Sequence, residues 1–514
     1  MSSGSSHISD TAGALVERRL LSRNVLVSVL GQALPLLAAV ALLPPVLRGL
    51  GTERFGLLTI VWLVVGYFSL LDLGLGRALT RTVADGVGHL NPKELAETTW
   101  TSILALSVLG CFAGLLAIIA TSISLRFLSV SETLRPEAEF AFYAASVSIP
   151  LVVLTSAVRG LLEANQRFWA VNIVKAPSAI FTYASPLAVL AFTTNLGIVV
   201  LVLVVGRLVT LTAFTVMVRR GLPGLLVPSA IRPRVLKELL RTGTWMTASN
   251  LLAPLMLTLD RVIIVAVISV SAVTFYATPY EVITKIWILS ASASAVMFPA
   301  FATSIRRSVV LTQHLYVDTL YYLVLFTFPL TLGAIAVAPE ALSIWLGSNF
   351  SVISALPTQI LGIGVFYAGV ALIAFTLVQA VGRPAIPALF QAVELPFYVI
   401  AAIVATHALS LTGAALVWSL RIGIDALALV VVAQRLVQAS VWRATAWLAM
   451  AAAALALPAA FADRGLRLIV AGCVLCVFLA IGWRVAKVRM DSRAFGLPSL
   501  IFGHPSPTEQ SSTQ

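Results

Sequence analysis

The sequence has little charge and very little cysteine. Of its 514 residues, 11% are charged and 59% are hydrophobic, whereas about 25% of the residues in a typical soluble domain are charged. This composition excludes a water-soluble globular protein and predicts a chain that lies in a lipid bilayer. The three cysteines, Cys111, Cys473 and Cys476, all fall in apolar runs, which argues against a disulfide framework or a thiolate metal site.

Recognisable catalytic motifs are also lacking. The loops between apolar runs are short, and they carry no cluster of His or Cys, no nucleophile elbow, no phosphate-binding loop and no cofactor fingerprint. We therefore expect a protein that is not an enzyme and that uses neither a metal nor a cofactor.

Long apolar runs dominate the sequence instead. An α-helix crosses a hydrocarbon core of about 30 Å with about 20 residues, and fourteen runs of this length are separated by Pro, Gly and charge clusters. They predict an all-α polytopic membrane protein with about 14 transmembrane helices. The predicted spans, numbered one to fourteen, are residues 24–47, 55–75, 100–122, 140–160, 170–192, 196–218, 244–267, 273–302, 316–337, 355–380, 384–406, 411–433, 444–462 and 468–488.

The distribution of basic residues predicts the orientation of these spans. An even number of spans places both termini on one side, and the loops and tails of that side hold 20 Lys and Arg against six in the opposite loops. Because basic loops stay on the cytoplasmic side, both termini are predicted to be cytoplasmic. The net charge of +13 is then explained by cytoplasmic loops that contact anionic lipids, and nucleic-acid binding is excluded.

Weak internal similarity predicts two halves of parallel orientation. Segment 32–35 resembles 250–254, Phe55 resembles Phe275, and segment 163–167 resembles 379–383, at offsets of 219, 220 and 216 residues. Six spans per half preserve orientation, as in transporters that work by alternating access. The predicted organisation is a disordered N-terminus (1–19), a first lobe (20–218), a basic cytoplasmic connector (219–243), a second lobe (244–434), two further helices (435–495) and a disordered tail (496–514).

Ionisable residues inside the apolar spans are the candidates for function, because charge in hydrocarbon is costly. Glu281 and Lys285 in span eight, and Arg421 and Asp425 in span twelve, are i,i+4 pairs in which opposite charges can neutralise each other. Such pairs either hold helices together or mark a watered cavity, and both interpretations stay open at this point. The candidate cavity charges are Lys285, Arg261, Arg421, Asp260, Glu281, Asp425, Arg207 and Lys175, and the candidate gating or structural residues are Pro35, Pro254, Asp72 and Arg77.

Short motifs occur at the ends of several predicted spans. They are Gly51-Thr-Glu-Arg-Phe-Gly56, Asp72-Leu-Gly-Leu-Gly76, Leu162-Glu-Ala-Asn-Gln-Arg-Phe168, Asp260, Phe298-Pro299, Trp345-Leu-Gly347 and Gln379-Ala-Val-Gly-Arg-Pro384. In this order, over roughly residues 20 to 435, they resemble the prokaryotic polysaccharide and O-antigen flippase family of the multidrug/oligosaccharidyl-lipid/polysaccharide exporter superfamily.

The resemblance implies a fold and a function. The implied fold is two six-helix lobes in a V around a central cavity, here with two additional C-terminal helices. The implied activity is translocation of a polyprenyl-diphosphate-linked oligosaccharide, an O-antigen or exopolysaccharide repeat unit, from the cytoplasmic to the outer leaflet of the bacterial inner membrane. The partners would be this glycan, the membrane lipids and a polysaccharide polymerase.

The same resemblance suggests where the diphosphate binds. Span eight is expected to face the cavity, so Lys285, supported by Arg261 and Arg421, would offer positive charge near mid-membrane. Glu281 and Asp260 would keep the anion from being trapped. Span one differs from some lipid flippases of the superfamily because its body carries no basic residue.

Three other functions compete with flipping. A drug or cation antiporter of the same superfamily would carry a carboxylate in the first lobe, and span one has none. A major-facilitator transporter would show a Gly and Asp-Arg pattern after span two, which segment 77–81 lacks. A membrane glycosyltransferase or polymerase would have a large outer loop, whereas the longest predicted outer loops, 123–139 and 338–354, are short.

The predicted topology can be tested by cysteine labelling. In a cysteine-free background, Ser5→Cys and Ser511→Cys should both be protected in intact cells from a membrane-impermeant thiol reagent and should react after permeabilisation. Labelling of either residue in intact cells would mean that the orientation is wrong.

Overall fold

The fold is entirely helical over the residues that can be described. A computed structural model describes residues 37–66, 91–124, 130–165, 167–222, 224–233 and 255–494, and it has no strand in these ranges. Ten of its helices are long and apolar enough to cross a membrane. This confirms the prediction of an all-α polytopic membrane protein. The total of 14 spans stays a prediction, because parts of spans one, two and seven lie outside the described residues.

The described helices follow the predicted spans closely. In chain order they are α1 (Leu37–Gly66), α2 (Pro92–Ser124), α3 (Arg135–Ala164), α4 (Phe168–Leu190), α5 (Leu196–Gly221), α6 (255–267), α7 (Val270–Ile283), α8 (Trp287–Arg307), α9 (Val309–Leu346), α10 (Ser348–Ala380), α11 (Ala385–Leu436), α12 (Val441–Ala456) and α13 (Arg464–Ala494). Short 3₁₀ turns at Thr284–Ile286 and Pro458–Ala460 follow α7 and α12.

Two of these helices each contain parts of two predicted spans. The 52 residues of α11 would extend about 78 Å if straight, more than twice the hydrocarbon thickness. The helix is broken at Ser410, which has φ 55° and ψ −138°. Gly51 breaks α1 in the same way with φ 76°. Spans eleven and twelve therefore lie on either side of Ser410, and the end of span one is separated from the start of span two by Gly51.

Motif glycines end the helices of the second half. Gly347, with φ 101°, separates α9 from α10, and Gly382, with φ 84°, follows α10. Glycine adopts this left-handed conformation without a steric penalty. After α10 the amide of Arg383 donates to the carbonyl of Val378, which satisfies a carbonyl that the helix end would leave unpaired.

The motif at residues 51–56 ties α1 to the rest of the first half. Arg54 donates two hydrogen bonds of 2.9 Å to the two carboxylate oxygens of Glu137 at the start of α3. Glu137 also accepts from the backbone N–H of Leu196, the first residue of α5. The bidentate pair fixes three helix ends at one point. Helices α2 to α5 pack around a core of their own that includes Leu106, Ile149 and Phe214.

The second half is organised around α10. In its most apolar stretch 78% of the residues are buried, the largest share among the ten candidate spans. The last helix, α13, is attached to α9 by Arg467, which is 3% exposed. Arg467 donates a 2.8 Å hydrogen bond to the carbonyl of Ala336 and pairs with Glu340. The last helix is therefore bound to the second half by a charged contact as well as by apolar packing.

The two halves contact each other through α1. Thr274 donates a 2.7 Å hydrogen bond to the carbonyl of Thr52, and the indole N–H of Trp345 donates one of 2.7 Å to the carbonyl of Val40. A side chain at Gly56 would place its Cβ 2.2 Å from the carbonyl oxygen of Val270. The absence of a side chain thus permits close backbone contact. All three contacts lie toward the end that the charge distribution assigns to the outside.

The connector after α5 contacts α2. Arg232 pairs with Glu97 and Glu94, and its backbone N–H donates to the hydroxyl of Thr101. The hydrogen bond to Glu97 raises the pKa of the exposed Arg232 above its ordinary value. Residues 234–243, the tail at 1–19 and the tail at 496–514 lie outside the described residues, so the predicted domain boundaries stay predictions.

Candidate functional site

A cavity of about 460 Å³ lies between the two halves. Helices α1, α3, α4 and α5 form its wall on one side, and α6 and α7 form it on the other. We call it the central cavity. Its described lining combines apolar side chains with three aromatic rings, four threonines and three ionisable groups: Phe55, Trp62 and Tyr183; Thr59, Thr182, Thr258 and Thr278; Arg207, Arg261 and Glu281.

The aromatic wall begins on α1. Phe55, Thr59, Trp62 and Gly66 line the cavity at positions i, i+4, i+7 and i+11, which is one face of a helix. The indole of Trp62 meets the ring of Phe55 edge to face, with 6.2 Å between centroids, and the ring of Tyr183 at 5.6 Å. Our sequence analysis did not identify Trp62 or Tyr183. The i, i+7 spacing of Phe55 and Trp62 was the available signal.

Glu281 is the acidic group of the cavity, and Lys285 neutralises it. The ammonium nitrogen of Lys285 lies 2.7 Å from Glu281 Oε1, and both side chains are about one third exposed. The Tyr183 hydroxyl also donates to Glu281 Oε1, over 3.4 Å. Lys285 itself lies in the 3₁₀ turn after α7 and is not among the described lining residues. The predicted Glu281–Lys285 pair is thus present, but only Glu281 faces the central cavity.

Arg261 is the basic group that the second half contributes. Its guanidinium carbon lies 4.3 Å from the ring centroid of Tyr280, a cation–π contact that stabilises the charge. The preceding residue, Asp260, is 1% exposed and accepts a hydrogen bond from the backbone N–H of Arg261. Its other oxygen, Oδ2, has no hydrogen-bond donor among the described residues. Asp260 therefore lies behind the wall of the central cavity, and its negative charge affects the cavity through Arg261.

The predicted pair in span twelve lies farther from the central cavity. Arg421 is 9% exposed, with its guanidinium over the ring of Tyr398 at 5.1 Å and one nitrogen 3.8 Å from the sulfur of Met256. Neither Arg421 nor Asp425 belongs to the described lining. Both carry a buried polar atom without a hydrogen-bond partner in the described part of the chain, as does Glu394.

Arg207 connects the central cavity to a second space. A chamber of about 310 Å³, here called the side chamber, shares Val152, Thr182 and Arg207 with the central cavity. No acidic side chain of the described residues pairs with Arg207. Arg159 also lines this chamber, whereas Lys175 is exposed and lines neither space as far as the chain is described.

The structure thus brings Arg207, Arg261 and Glu281 together around the central cavity. It places Lys285, Asp260, Arg421 and Asp425 near or behind the wall of the second half. The four candidate gating or structural residues, Pro35, Pro254, Asp72 and Arg77, lie outside the described residues. The roles predicted for all of these residues stay predictions.

Comparison with known proteins identifies the family. The family described as "Polysaccharide biosynthesis protein" matches residues 21–305, more than half of the chain. The chain belongs to this family. It is 29% identical over 412 residues to a putative O-antigen transporter of Shigella flexneri, an alignment that covers 79% of this chain and 96% of the relative. These matches confirm the predicted family and a transport protein of polysaccharide biosynthesis rather than an enzyme.

Solved structures confirm the fold. The lipid II flippase MurJ, in an inward closed conformation, is similar with a TM-score of 0.67 and 14% identity, covering 90% of this chain and 99% of the flippase. An inward-facing multidrug resistance MATE family transporter of the MOP superfamily gives a TM-score of 0.65 and 15% identity, covering 82% of this chain and 95% of the transporter. The family member described here therefore has the fold of that superfamily.

Variants can test whether the Glu281–Lys285 pair only neutralises itself or supplies a cation that transport requires. Lys285→Ala leaves Glu281 as an unbalanced anion beside the central cavity, and we expect glycan export to fall severalfold at normal protein level. Glu281→Gln/Lys285→Ala removes both charges and should restore most of the export if the pair only neutralises itself. If the double variant is as defective as Lys285→Ala and only Lys285→Arg keeps export, the positive charge itself is required.

Proposed function

We propose that this protein moves a polyprenyl-diphosphate-linked oligosaccharide from the cytoplasmic to the outer leaflet by alternating access. The glycan would be an O-antigen or exopolysaccharide repeat unit, and the membrane would be the bacterial inner membrane with both termini in the cytoplasm. A polysaccharide polymerase that takes up the delivered unit is the expected partner.

One observation carries this proposal: the central cavity combines excess positive charge with an aromatic wall. Arg207 and Arg261 face it with Glu281 as the acidic group of the described lining, and Lys285 already neutralises that carboxylate. A diphosphate that crossed bare hydrocarbon would lose its hydration at a prohibitive cost, so a path for it must supply charged partners. The rings of Trp62 and Tyr183 offer flat apolar surface against which the C–H faces of sugars can pack.

The position of the contacts between the halves supports alternating access. Those made by α1 lie at Val40, Thr52 and Gly56, around the break at Gly51 that the predicted orientation places toward the outside. The cavity lining continues along α1 to Gly66. With the predicted orientation, these contacts hold the outer side closed. A substrate released outside requires these contacts to part while new ones form at the cytoplasmic side.

Drug or cation export is the second candidate, because the fold is shared with multidrug transporters. A cationic drug needs an unpaired carboxylate in its path. Glu281 is the carboxylate of the described lining, and it is paired at 2.7 Å. The charge of the central cavity therefore favours an anionic substrate over a cationic one.

Export of the glycan in cells tests the proposed function. A strain that lacks this gene should accumulate the lipid-linked glycan on the cytoplasmic face, and the wild-type gene should restore surface glycan. Arg261→Gln should lower export about tenfold, because it removes a charge-assisted contact of about 1.5–3 kcal/mol. Arg48→Gln, an exposed arginine on α1, is the matched control and should export normally.

One phenotype of the strain without the gene would contradict the flippase proposal. If the strain without the gene keeps normal surface glycan but becomes sensitive to cationic drugs, the protein is a drug exporter and the flippase proposal is wrong.

Alternating access can be tested at Gly56. The added methyl of Gly56→Ala would meet the Val270 carbonyl at 2.2 Å, so it should separate the halves at their outer contact and favour the state open to the outside. In a cysteine-free background we expect Thr278→Cys, in the cavity wall, to react with an impermeant reagent several times faster when Gly56→Ala is present. Gly333→Ala, where a Cβ meets no atom within 4 Å, is the control. Equal labelling with both alanines would contradict the proposed closure.

A further inference from the structure

The side chamber has the features of a binding subsite. Its described lining comes from α3, α4 and α5, and it shares Arg207 with the central cavity. We propose that the substrate binds here first, with its diphosphate between Arg159 and Arg207 and its first sugar against the hydroxyl groups of the chamber. This inference rests on the proposed function and adds an entry site to it.

The size of the chamber fits a headgroup. Its volume of about 310 Å³ lies at the lower end of the range of small-molecule pockets, roughly 300–1,000 Å³. A diphosphate with one sugar can occupy such a space, whereas a whole repeat unit needs the larger central cavity beside it.

The two arginines of the chamber differ in their acidic partners. Arg207 has no acidic partner in the described part of the chain. Arg159 Nε lies 3.2 Å from Glu163 Oε1, but its N–H donates no hydrogen bond to any described acceptor. A guanidinium binds phosphate oxygens with two parallel N–H donors. Arg159 and Arg207 both line the chamber, at different depths, so each can hold a phosphate group as the headgroup moves through it.

The hydroxyl groups of the chamber suit a sugar. Those of Thr155, Ser178 and Thr210 each donate to the carbonyl four residues earlier in their own helix. Their protons are engaged, so the groups left for a ligand are oxygen lone pairs, which accept from sugar hydroxyls. Ser178 Oγ and Thr210 Oγ1 also lie 2.8 Å apart. Since each hydroxyl has a single proton, one of the two can donate to the other and join α4 to α5 only by giving up the bond to its own helix. The chamber thus offers donors for phosphate and acceptors for sugar.

The chamber also has a place for the lipid tail to leave. Phe181 lines it, yet the side chain is 39% exposed. With Ile173 and Pro177 it forms an exposed stripe along α4. The ring lies against Gly206, where a Cβ would come within 2.2 Å of it. Movement of this one ring would connect the chamber with the bilayer, so the polyprenyl chain can stay in lipid while the headgroup is bound.

The order of the arginines gives a direction of movement. Arg159 lies near the predicted cytoplasmic end of span four, and Arg207 lies roughly 16 Å from the predicted cytoplasmic end of span six. Arg261 follows in the central cavity. A headgroup that enters from the cytoplasmic leaflet would meet Arg159 first, Arg207 next and Arg261 last.

Binding of short-chain probes to the purified full-length protein tests the proposal. Farnesyl diphosphate is titrated while thermal stability in detergent is recorded, with farnesol, inorganic pyrophosphate and dioctanoyl phosphatidylglycerol as comparison probes. We expect farnesyl diphosphate to bind wild type at least tenfold more tightly than farnesol or the phosphatidylglycerol. Equal binding of the phosphatidylglycerol would mean that the chamber holds a phospholipid headgroup, and the inference would be wrong.

Variants then locate the diphosphate. Arg159→Gln and Arg207→Gln should each weaken farnesyl diphosphate about tenfold, since each removes a charge-assisted contact. Arg159→Lys and Arg207→Lys should lose less, and these folded variants distinguish lost binding from misfolding. Arg219→Gln, an exposed arginine on the same helix as Arg207, is the control and should bind normally.

Two outcomes separate this inference from the proposed function. If Arg261→Gln weakens the probe while Arg159→Gln does not, the diphosphate binds only in the central cavity; the entry site is then wrong and the flippase proposal stands. If wild type binds farnesyl diphosphate no better than farnesol, the proposed substrate class fails as well.

The sugar contact is tested with a second probe, farnesyl-diphospho-N-acetylglucosamine. Ser178→Ala should weaken binding of this probe and leave binding of farnesyl diphosphate unchanged. An equal effect on both probes, or no effect on either, would contradict the sugar assignment.

Discussion

The cost of placing charge in hydrocarbon determines where the ionisable groups of this protein lie. Within the described spans, Lys285 pairs with Glu281 and Arg261 lies over the ring of Tyr280, and just outside the spans Arg54 pairs with Glu137 and Arg467 with Glu340. These contacts also connect helices that are distant in sequence. Arg207 differs, because it faces a cavity without an acidic partner in the described chain. An unbalanced cation at this depth is stable where water or an anionic ligand can reach it.

The seam between the halves follows from a second constraint of the bilayer. Apolar surface gives helices in lipid little reason to associate, so contact depends on close packing and on hydrogen bonds to the backbone. Gly56 permits close approach to the Val270 carbonyl, and Thr274 and Trp345 donate to the carbonyls of α1. Each of these contacts is small and local. Apolar side chains also pack across the seam, since one buried cluster contains Phe55 of the first half and Val270 of the second. Alternating access therefore has to separate this packing as well as the hydrogen bonds.

Sequence reasoning identified the fold more completely than the site. The apolar runs and the Pro, Gly and charged residues between them predicted helices at nearly every described span. They also predicted the short turn that ends at Asn195. The prediction works because hydropathy reflects a constraint that acts on every residue of a span. The sequence carries no comparable signal for contacts between side chains of different helices. The spacing of Glu281 and Lys285 predicted their ion pair, but it could not show which of the two faces the cavity. In the sequence, nothing distinguishes Trp62 from other aromatic residues of the spans. The structure shows that Phe55 and Tyr183 lie beside it.

A transporter must also release what it binds, and the two spaces divide these tasks. The described lining of the side chamber belongs to the first half, so its arginines would keep their geometry when the halves move. The central cavity is shared, with Arg207 on one wall and Arg261 and Glu281 on the other. Separation of the halves would increase the distance between these cations and weaken their joint attraction for a diphosphate. The same motion that exposes the substrate to the outside would thereby lower its affinity and favour release.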